Sequence, residues 1–533
     1  MERRKEHFES VLNTVSTFDE EVIGNQMQYP VREHMCEPPT EDEIIEAMDH
    51  IKKNKAGGSN GILPEMVIAC GANILEYIQD LFGTVWHEGV PQERKDALLI
   101  PIPKKGDLSQ CDNWRGISLL DVFGKVLAKV IQMRLQEVVE EVIPDSQCGF
   151  RPGRGCVDMI FCVKQLVEKS VEHNTNTYIL FIDLRKAYDS VPRQALWSCL
   201  ENYGIPPVMI EVIKSFHENM KTTMTVDGSS SPDFEIRNGL RQGCTIAPTL
   251  FTLYFNMVIS RWRERCEPFG VEVLYKCGGK LVGERTRRPA RTNLTEFLFA
   301  DDAAAVSANR PDIERAARIL DEVTTEYGLT VSFPKTKLMV AGPQLETAEQ
   351  PITINEKKID VVSDFRYLGV IIEASGAVKK YVEDRVGRAS RAFGAMKKAV
   401  FTNNSLSLKT KRLVYRAVVL GVLLYGVETI ALIRDHSRKL EVFHNRCAYM
   451  YVYQTNVQEN QETDRKYKGQ DQEKVGKSME KGRRKEGERG RVRNRERERE
   501  RAVGSGFTCG STCLSKACLR KQGCIRIWTR LLG

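Results

Sequence analysis

Apolar positions change their period several times along the chain, and each change predicts an element. Thr40-Glu41-Asp42-Glu43 has the form of a capping box and predicts a helix running to about Lys53. Residues 55–61, rich in Gly, Ser and Asn, predict a loop. Leu98 to Pro103 predicts a short strand stopped by proline. Asp121 stands as an N-cap before Val122, Val126, Val130, Val138 and Val142, whose helical spacing persists until Pro144. Tyr178 to Ile182 is apolar throughout, as suits a strand covered on both faces. Leu298–Ala300 and Ala303–Val306 flank an acidic pair and predict strand, turn, strand.

From Lys379 to Cys447 the pattern turns helical, with basic faces formed by Lys379, Lys380, Arg385, Arg388, Arg391, Lys397, Lys398, Lys409, Lys411 and Arg412. Helices alternate with strands, so the class is α/β or α+β. After about Tyr451 the pattern breaks, and Arg495 to Arg501 alternates Arg with Glu. Such a segment buries too little apolar surface to offset its ordering entropy, so residues 451–533 are expected to form a disordered, low-complexity basic tail.

Composition narrows the class. The chain has 533 residues, 41% hydrophobic and 28% charged, which excludes collagen-like, mucin-like and wholly disordered proteins and allows several domains. The longest apolar candidate for a membrane span, Ala417–Val427, has 11 residues. A spanning helix needs about 20, so no membrane partner is expected. No apolar core follows Met1-Glu2-Arg3-Arg4-Lys5-Glu6, so no signal peptide is expected.

The net charge of +8 is unevenly spread. Residues 464–501 hold 16 basic and 9 acidic residues, and residues 502–533 hold five basic and no acidic ones, which leaves residues 1–463 at −4. Nucleic-acid binding therefore has to rest on local patches of the body and not on overall basicity. Eleven of the 15 cysteines are scattered through residues 36–447, the mark of a reduced, intracellular chain. The spacing of Cys509, Cys513, Cys518 and Cys524 matches no zinc pattern.

The candidate chemistry lies in three carboxylates. Asp301-Asp302 alone reads as a polar hairpin turn. Asp183 directly follows the apolar run that ends at Ile182, where a carboxylate is costly to bury unless it meets a cation or a donor. Two strands of one sheet, ending at Asp183 and at Asp301-Asp302, would bring hard oxygen ligands together. That is the arrangement with which paired divalent ions assist in-line phosphoryl transfer.

The residues around these carboxylates carry a family resemblance. Phe181-Ile182-Asp183-Leu184-Arg185-Lys186-Ala187-Tyr188-Asp189 resembles motif A of reverse transcriptases of non-LTR (LINE-type) retrotransposons. Asn238 to Phe251, with Arg241-Gln242-Gly243-Cys244 at its centre, resembles motif B, and Phe299-Ala300-Asp301-Asp302 matches motif C. Order and spacing agree, with 118 residues from Asp183 to Asp301. Similar stretches occur at Asp112–Leu120, Gln147–Arg154, Gly328–Lys337 and Phe365–Gly369, so the resemblance spans about residues 95–450.

The resemblance implies an α+β right-hand polymerase. It would have an N-terminal connector over 1–60, fingers over 61–175, a palm over 176–375, a helical thumb-like region over 376–450 and the tail over 451–533. It implies an RNA-directed DNA polymerase that transfers dNTPs to a primer 3′-hydroxyl on an RNA template. Asp183, Asp301 and Asp302 match the catalytic triad that holds two Mg²⁺ ions, with Mn²⁺ as a substitute. Tyr188 matches the aromatic gate against a ribose 2′-hydroxyl. Gln242 and Gly243 match residues lining the incoming nucleotide. Arg115, and less strongly Lys104, match cations gripping the triphosphate. Lys335 matches the lysine that protonates the leaving pyrophosphate. The resemblance implies an intracellular protein, expected in nucleus and cytoplasm, with an RNA template and a DNA primer as partners. The alternative is a catalytically inactive nucleic-acid-binding remnant of a truncated element. No endonuclease pattern precedes residue 60, no ribonuclease H pattern follows, and the resemblance stops near Cys447.

Overall fold

A computed structural model describes residues 2–14, 16–58, 60–104, 106–226, 228–275, 290–343 and 350–450. The expected disordered tail and the four C-terminal cysteines lie outside the described residues. The chain divides into two units, the first reaching Ser363 and the second beginning at Asp364, a boundary inside the stretch expected to form the palm. Both units mix helices with sheets. Among the described residues no helix is long and apolar enough to cross a membrane.

The first unit is organised by a six-stranded sheet in the order Ile352–Ile354, Lys357–Val361, Lys337–Ala341, Thr177–Ile182, Asp302–Ser307, Glu296–Phe299. Thr177–Ile182 is buried at every position, as its unbroken apolar run requires. Helix Cys156–Glu172 packs on the sheet, and so does Arg310–Glu326, whose buried residues Ile313, Ala316, Ala317, Leu320 and Val323 recur at helical spacing. The latter packs in turn on helix Ala247–Cys266, which is buried almost throughout because other elements cover it on several sides. Ile182, Leu298, Ala303 and Ala305 share a small internal cavity with Phe255, Ile259 and Trp262 of that helix. The strands that end at Asp183 and begin at Asp302 thus pack against this helix.

A second sheet pairs Ala97–Pro103 with Trp114–Leu119 antiparallel and with Lys221–Val226 parallel. The first strand ends at Pro103, as expected, and tolerates Pro101 within it. The pairing with Lys221–Val226 covers only Ala97–Leu99, so Pro101 and Pro103 fall where one edge is unpaired and a missing N–H costs nothing. The capping box forms, with Glu43 N–H donating to Thr40 and Thr40 N–H donating to Glu43, but its helix ends at Asp49, short of Lys53. The Asp121 side chain accepts from Gly124 N–H at 3.0 Å and opens helix Val122–Val142, which stops two residues before Pro144.

Residues 2–50 are woven into this unit. Phe8 is buried against Leu99, Met224 and Phe234, while Ile23, Met35 and Ile44 join the main core. Arg134, on helix Val122–Val142, donates to both Glu43 carboxylate oxygens at 2.7 Å and to the Met35, Glu37 and Pro38 carbonyls.

The second unit opens with a hairpin, Asp364–Tyr367 against Val370–Glu373, followed by helix Lys379–Met396 and further helical segments out to residue 450. Phe393 stacks on Phe401 at 4.3 Å, with Tyr415 edge-on to both. Two of the basic positions expected on exposed faces are buried. Arg385 is 3% exposed and donates to the Gly369 carbonyl and to Asp384, and Lys411 is 1% exposed. The helical pattern reads both as solvent-facing, but Arg385 also lies over the Tyr381 and Tyr425 rings. Arg366, Arg385 and Arg388 converge on Asp384. Despite some burial, these guanidiniums hold its carboxyl below the usual range.

Candidate active site

The antiparallel pairing of Asp302–Ser307 with Thr177–Ile182 matches Ala303 to Ile182, so one step further the register sets Asp302 opposite Asp183. Asp302 begins its strand opposite Phe299, and Ala300-Asp301 forms the turn between the two hairpin strands. Ala300 holds φ +56°, a left-handed conformation that costs a non-glycine residue free energy. The three carboxylates therefore meet at one end of the sheet, where the strand-end reading set them.

Their electrostatics record the crowding. Burial, then the Asp183 charge, raises Asp301, while Arg115 and Lys335 pull it down. Burial, then Asp301 and Asp183, pushes Asp302 up to about 6. Asp183 has a direct counter-ion, since Lys335 Nζ donates to its Oδ2 at 3.1 Å. The Asp183 backbone is fixed as well. Its carbonyl accepts from Ser332 N–H at 2.7 Å, and its N–H donates to Thr336 Oγ1.

Among the described residues no three His, Cys, Asp or Glu side chains already converge on one point as metal ligands. The donor chemistry nevertheless suits a hard divalent cation. The charge of Asp183 reaches Asp301, and the charges of both reach Asp302, so two of the three carboxylates resist ionisation in a way that an added positive charge would relieve.

The motif B loop closes over the motif A turn. Gln242 Nε2 donates to Asp189 Oδ1 at 2.9 Å, and the Gln242 carbonyl accepts from Ser118 N–H at 2.8 Å. Gly243 sits at φ +112°, and a Cβ there would lie 2.6 Å from the Ser118 carbonyl oxygen. Only glycine both adopts that backbone and lets strand Trp114–Leu119 approach. Tyr188 stacks on Phe251 of helix Ala247–Cys266, with ring centroids 4.4 Å apart. Its hydroxyl is buried without a hydrogen-bond partner.

Arg115 belongs to the second sheet, and Lys104 directly follows its strand Ala97–Pro103. Ile102 pairs with Arg115, and Lys104 follows two residues later on the same face, so the two cations are neighbours. Lys104 Nζ donates to the Asp112 carbonyl at 3.1 Å. Burial and then Arg115 lower its pKa. Together with Lys186 these cations face Asp189, whose pKa is raised by burial against their pull. All nine residues singled out in the sequence thus fall in one region of the first unit. Asp183, Asp301, Asp302 and Lys335 form one group, Tyr188 pairs with Phe251, and Gln242 and Gly243 join the Asp189 turn to the strand carrying Arg115.

The family described as reverse transcriptase (RNA-dependent DNA polymerase) matches residues 102–372, half of the chain. The chain belongs to the reverse transcriptase family. It is similar to the "Transposon TX1 uncharacterized 149 kDa protein" of Xenopus laevis, 26% identical over 64% of this chain and 25% of that protein. It is also similar to the RNA-directed DNA polymerase from mobile element jockey of Drosophila funebris, 23% identical over 79% of this chain and 45% of the relative. A probable RNA-directed DNA polymerase from transposon BS of Drosophila melanogaster is 21% identical over 84% of this chain and 48% of its own length. The chain thus spans between a quarter and about half of these relatives.

Within this reverse transcriptase domain, sequence reasoning left three contributors without a role. Asp189 anchors Gln242, Phe251 backs Tyr188, and Gln147 touches the motif C turn. All three lie inside stretches that resemble the family. Phe251 and Gln147 carry no charge, and Asp189 reads locally as a short-helix polar residue, so only their long-range contacts reveal them.

Proposed function

We propose that this chain catalyses template-directed addition of deoxynucleotides to a primer 3′-hydroxyl, copying RNA into DNA. The observation that carries the reading is the strand register that brings Asp183 opposite Asp302 beside the Asp301 turn. A fingers, palm and thumb arrangement accommodates it, with the carboxylates on the palm. Asp183, Asp301 and Asp302 would hold divalent ions, Mg²⁺ or Mn²⁺ in its place, which when bound neutralise charge on the attacking and leaving oxygens.

The chain's own groups do the rest. Arg115 and Lys104 offer neighbouring cations to a triphosphate, and a guanidinium suits bidentate contact with phosphate. Tyr188, braced by Phe251, turns a rigid ring toward the sugar and disfavours a 2′-hydroxyl. Gln242, oriented by Asp189, lines the nucleotide pocket. Lys335, already within ion-pair distance of Asp183, supplies the proton for the leaving pyrophosphate. Much of the rate then comes from positioning and fixed electrostatics. In the second unit, exposed Lys379, Lys380, Arg391, Lys397, Lys398, Lys409 and Arg412 suit salt-dependent phosphate contacts without sequence preference.

The test is primer extension by the purified chain on an RNA template annealed to a DNA primer, with dNTPs and Mg²⁺. Extension is expected. Folded protein that binds the hybrid yet extends nothing in Mg²⁺ or Mn²⁺ would overturn the reading in favour of a nucleic-acid-binding remnant.

A further inference from the structure

We propose that Gln147 is a positioning residue that sets the orientation of the Asp301-Asp302 pair by clamping the turn before it. The inference rests on the polymerase reading for its functional consequence, though the clamp itself is a matter of geometry.

Gln147 is 2% exposed and remote in sequence from the hairpin. Its Oε1 accepts from the Ala300 N–H at 3.0 Å and from the Gly149 N–H at 2.8 Å. Its Nε2 donates to the Ala300 carbonyl at 3.2 Å. One amide side chain thus satisfies both backbone polar groups of the residue that carries the left-handed φ of +56°. The Ala300 carbonyl belongs to the peptide plane that leads into Asp301. Fixing it fixes the start of the acidic pair.

The surrounding chain holds Gln147 in register. Cys148 N–H donates to the Leu298 carbonyl at 3.0 Å, and Leu298 N–H donates to the Ser146 carbonyl at 2.8 Å. Residues 146–148 thereby pair with the first hairpin strand in parallel through a Gln147–Leu298 bridge. Gly149 permits the approach, since a Cβ there would stand 2.2 Å from the Ala300 nitrogen.

An amide is needed for this task. It presents an acceptor and a donor to adjacent backbone groups of opposite kind. A carboxylate keeps the acceptor and loses the donor. A methionine of similar volume loses both and leaves the Ala300 N–H and C=O buried and unpaired. The carboxylates would then keep their identity and lose their orientation. Groups that orient metal ligands typically affect metal affinity or activity by about 10–100-fold.

The experiment compares wild type, Gln147→Glu and Gln147→Met in the full-length chain, with Asp301→Asn as a control. Mn²⁺ binding without nucleotide is followed by electron paramagnetic resonance. Single-nucleotide addition is split into kcat and KM for the dNTP, and circular dichroism checks folding. Gln147→Met is expected to weaken Mn²⁺ binding and lower kcat by about tenfold or more, with KM and hybrid binding little changed, and Gln147→Glu should fall between it and wild type. A folded Gln147→Met with wild-type Mn²⁺ affinity and kcat would overturn the proposal. If Gln147→Met does not fold, Gln147→Glu carries the test, and wild-type values for it overturn the proposal equally. If wild type binds Mn²⁺ but polymerises nothing, the polymerase reading fails, while the Mn²⁺ comparison still decides whether Gln147 orients the carboxylates.

Discussion

Tyr188 lies against Phe251 with the two rings 17° from parallel and their centroids 4.4 Å apart. The stack gives the proposed sugar gate a fixed wall, since Phe251 also stacks on Phe255 within the buried helix. Tyr188→Ala should raise ribonucleotide incorporation, read as the ratio of kcat/KM for rNTP to that for the matching dNTP. Tyr188→Phe should leave the ratio unchanged, because the hydroxyl has no partner and the ring does the excluding. Its stability should stay within about 1 kcal/mol of wild type. An unchanged ratio in Tyr188→Ala would remove Tyr188 from the gate.

Gly243 offers a test of the motif B loop. A side chain there meets the Ser118 carbonyl and is forced into a left-handed backbone. Gly243→Ala should destabilise the first unit by at least about 1–3 kcal/mol, measured by urea denaturation. Gln242 should lose its hold on Asp189 in the same variant, raising KM for the nucleotide. Wild-type stability and KM together would mean that the loop is not held as tightly as its contacts indicate.

The raised Asp302 pKa has a pH signature. Its folded value of about 6 stands above the unfolded carboxylate value, so the native state holds this proton more tightly than the unfolded chain. The stability this gives the metal-free protein is complete below the unfolded value of about 3.9 and is lost as pH rises toward 6. Asp302→Asn removes the titration. Wild-type stability should therefore fall relative to Asp302→Asn across that window, read from denaturant midpoints at several pH values without divalent ions. Mn²⁺ binding to wild type needs the ionised carboxylate and should strengthen through the same window. A pH-independent difference between the two proteins would contradict the crowding of carboxylates.

Arg134 tests whether the N-terminal residues belong to the fold. It is nearly buried and ties helix Val122–Val142 to Glu43 and to three carbonyls of residues 35–38. Breaking such a pair typically costs about 3–5 kcal/mol, so Arg134→Met should lower unfolding free energy by that order. A change below about 1 kcal/mol, the worth of an exposed ion pair, would mean that residues 35–43 are only loosely attached.

The elements that position the chemistry were readable because each has a local signature. An unbroken apolar run from Tyr178 to Ile182 marks a strand covered on both faces, and Asp183 at its end is conspicuous for its cost. The hairpin around Asp301-Asp302 follows from short apolar stretches on either side of a polar pair. The capping box and the Asp121 cap are equally local.

What stayed hidden depends on contacts across the chain. Gln147 reaches Ala300 across 153 positions, and Gln242 reaches Asp189 across 53. Neither amide titrates or breaks a hydrophobic pattern. The burial of Arg385 and Lys411 defeats any reading that assigns charge to solvent, because a long aliphatic stem can run inward when the head finds partners. Residues 2–50 look polar and poorly patterned, yet their few apolar side chains enter the core one at a time.

The most direct measurement of the central claim is single-nucleotide addition to a DNA primer on an RNA template, with wild type beside Asp183→Asn, Asp301→Asn and Asp302→Asn. Hybrid affinity is measured for each protein. Wild type is expected to extend the primer in Mg²⁺, and each variant is expected to bind the hybrid normally while losing addition by at least about 100-fold, as befits carboxylates that act as one unit. A folded variant of any of the three that extends the primer at the wild-type rate would contradict the joint role that the strand register assigns them.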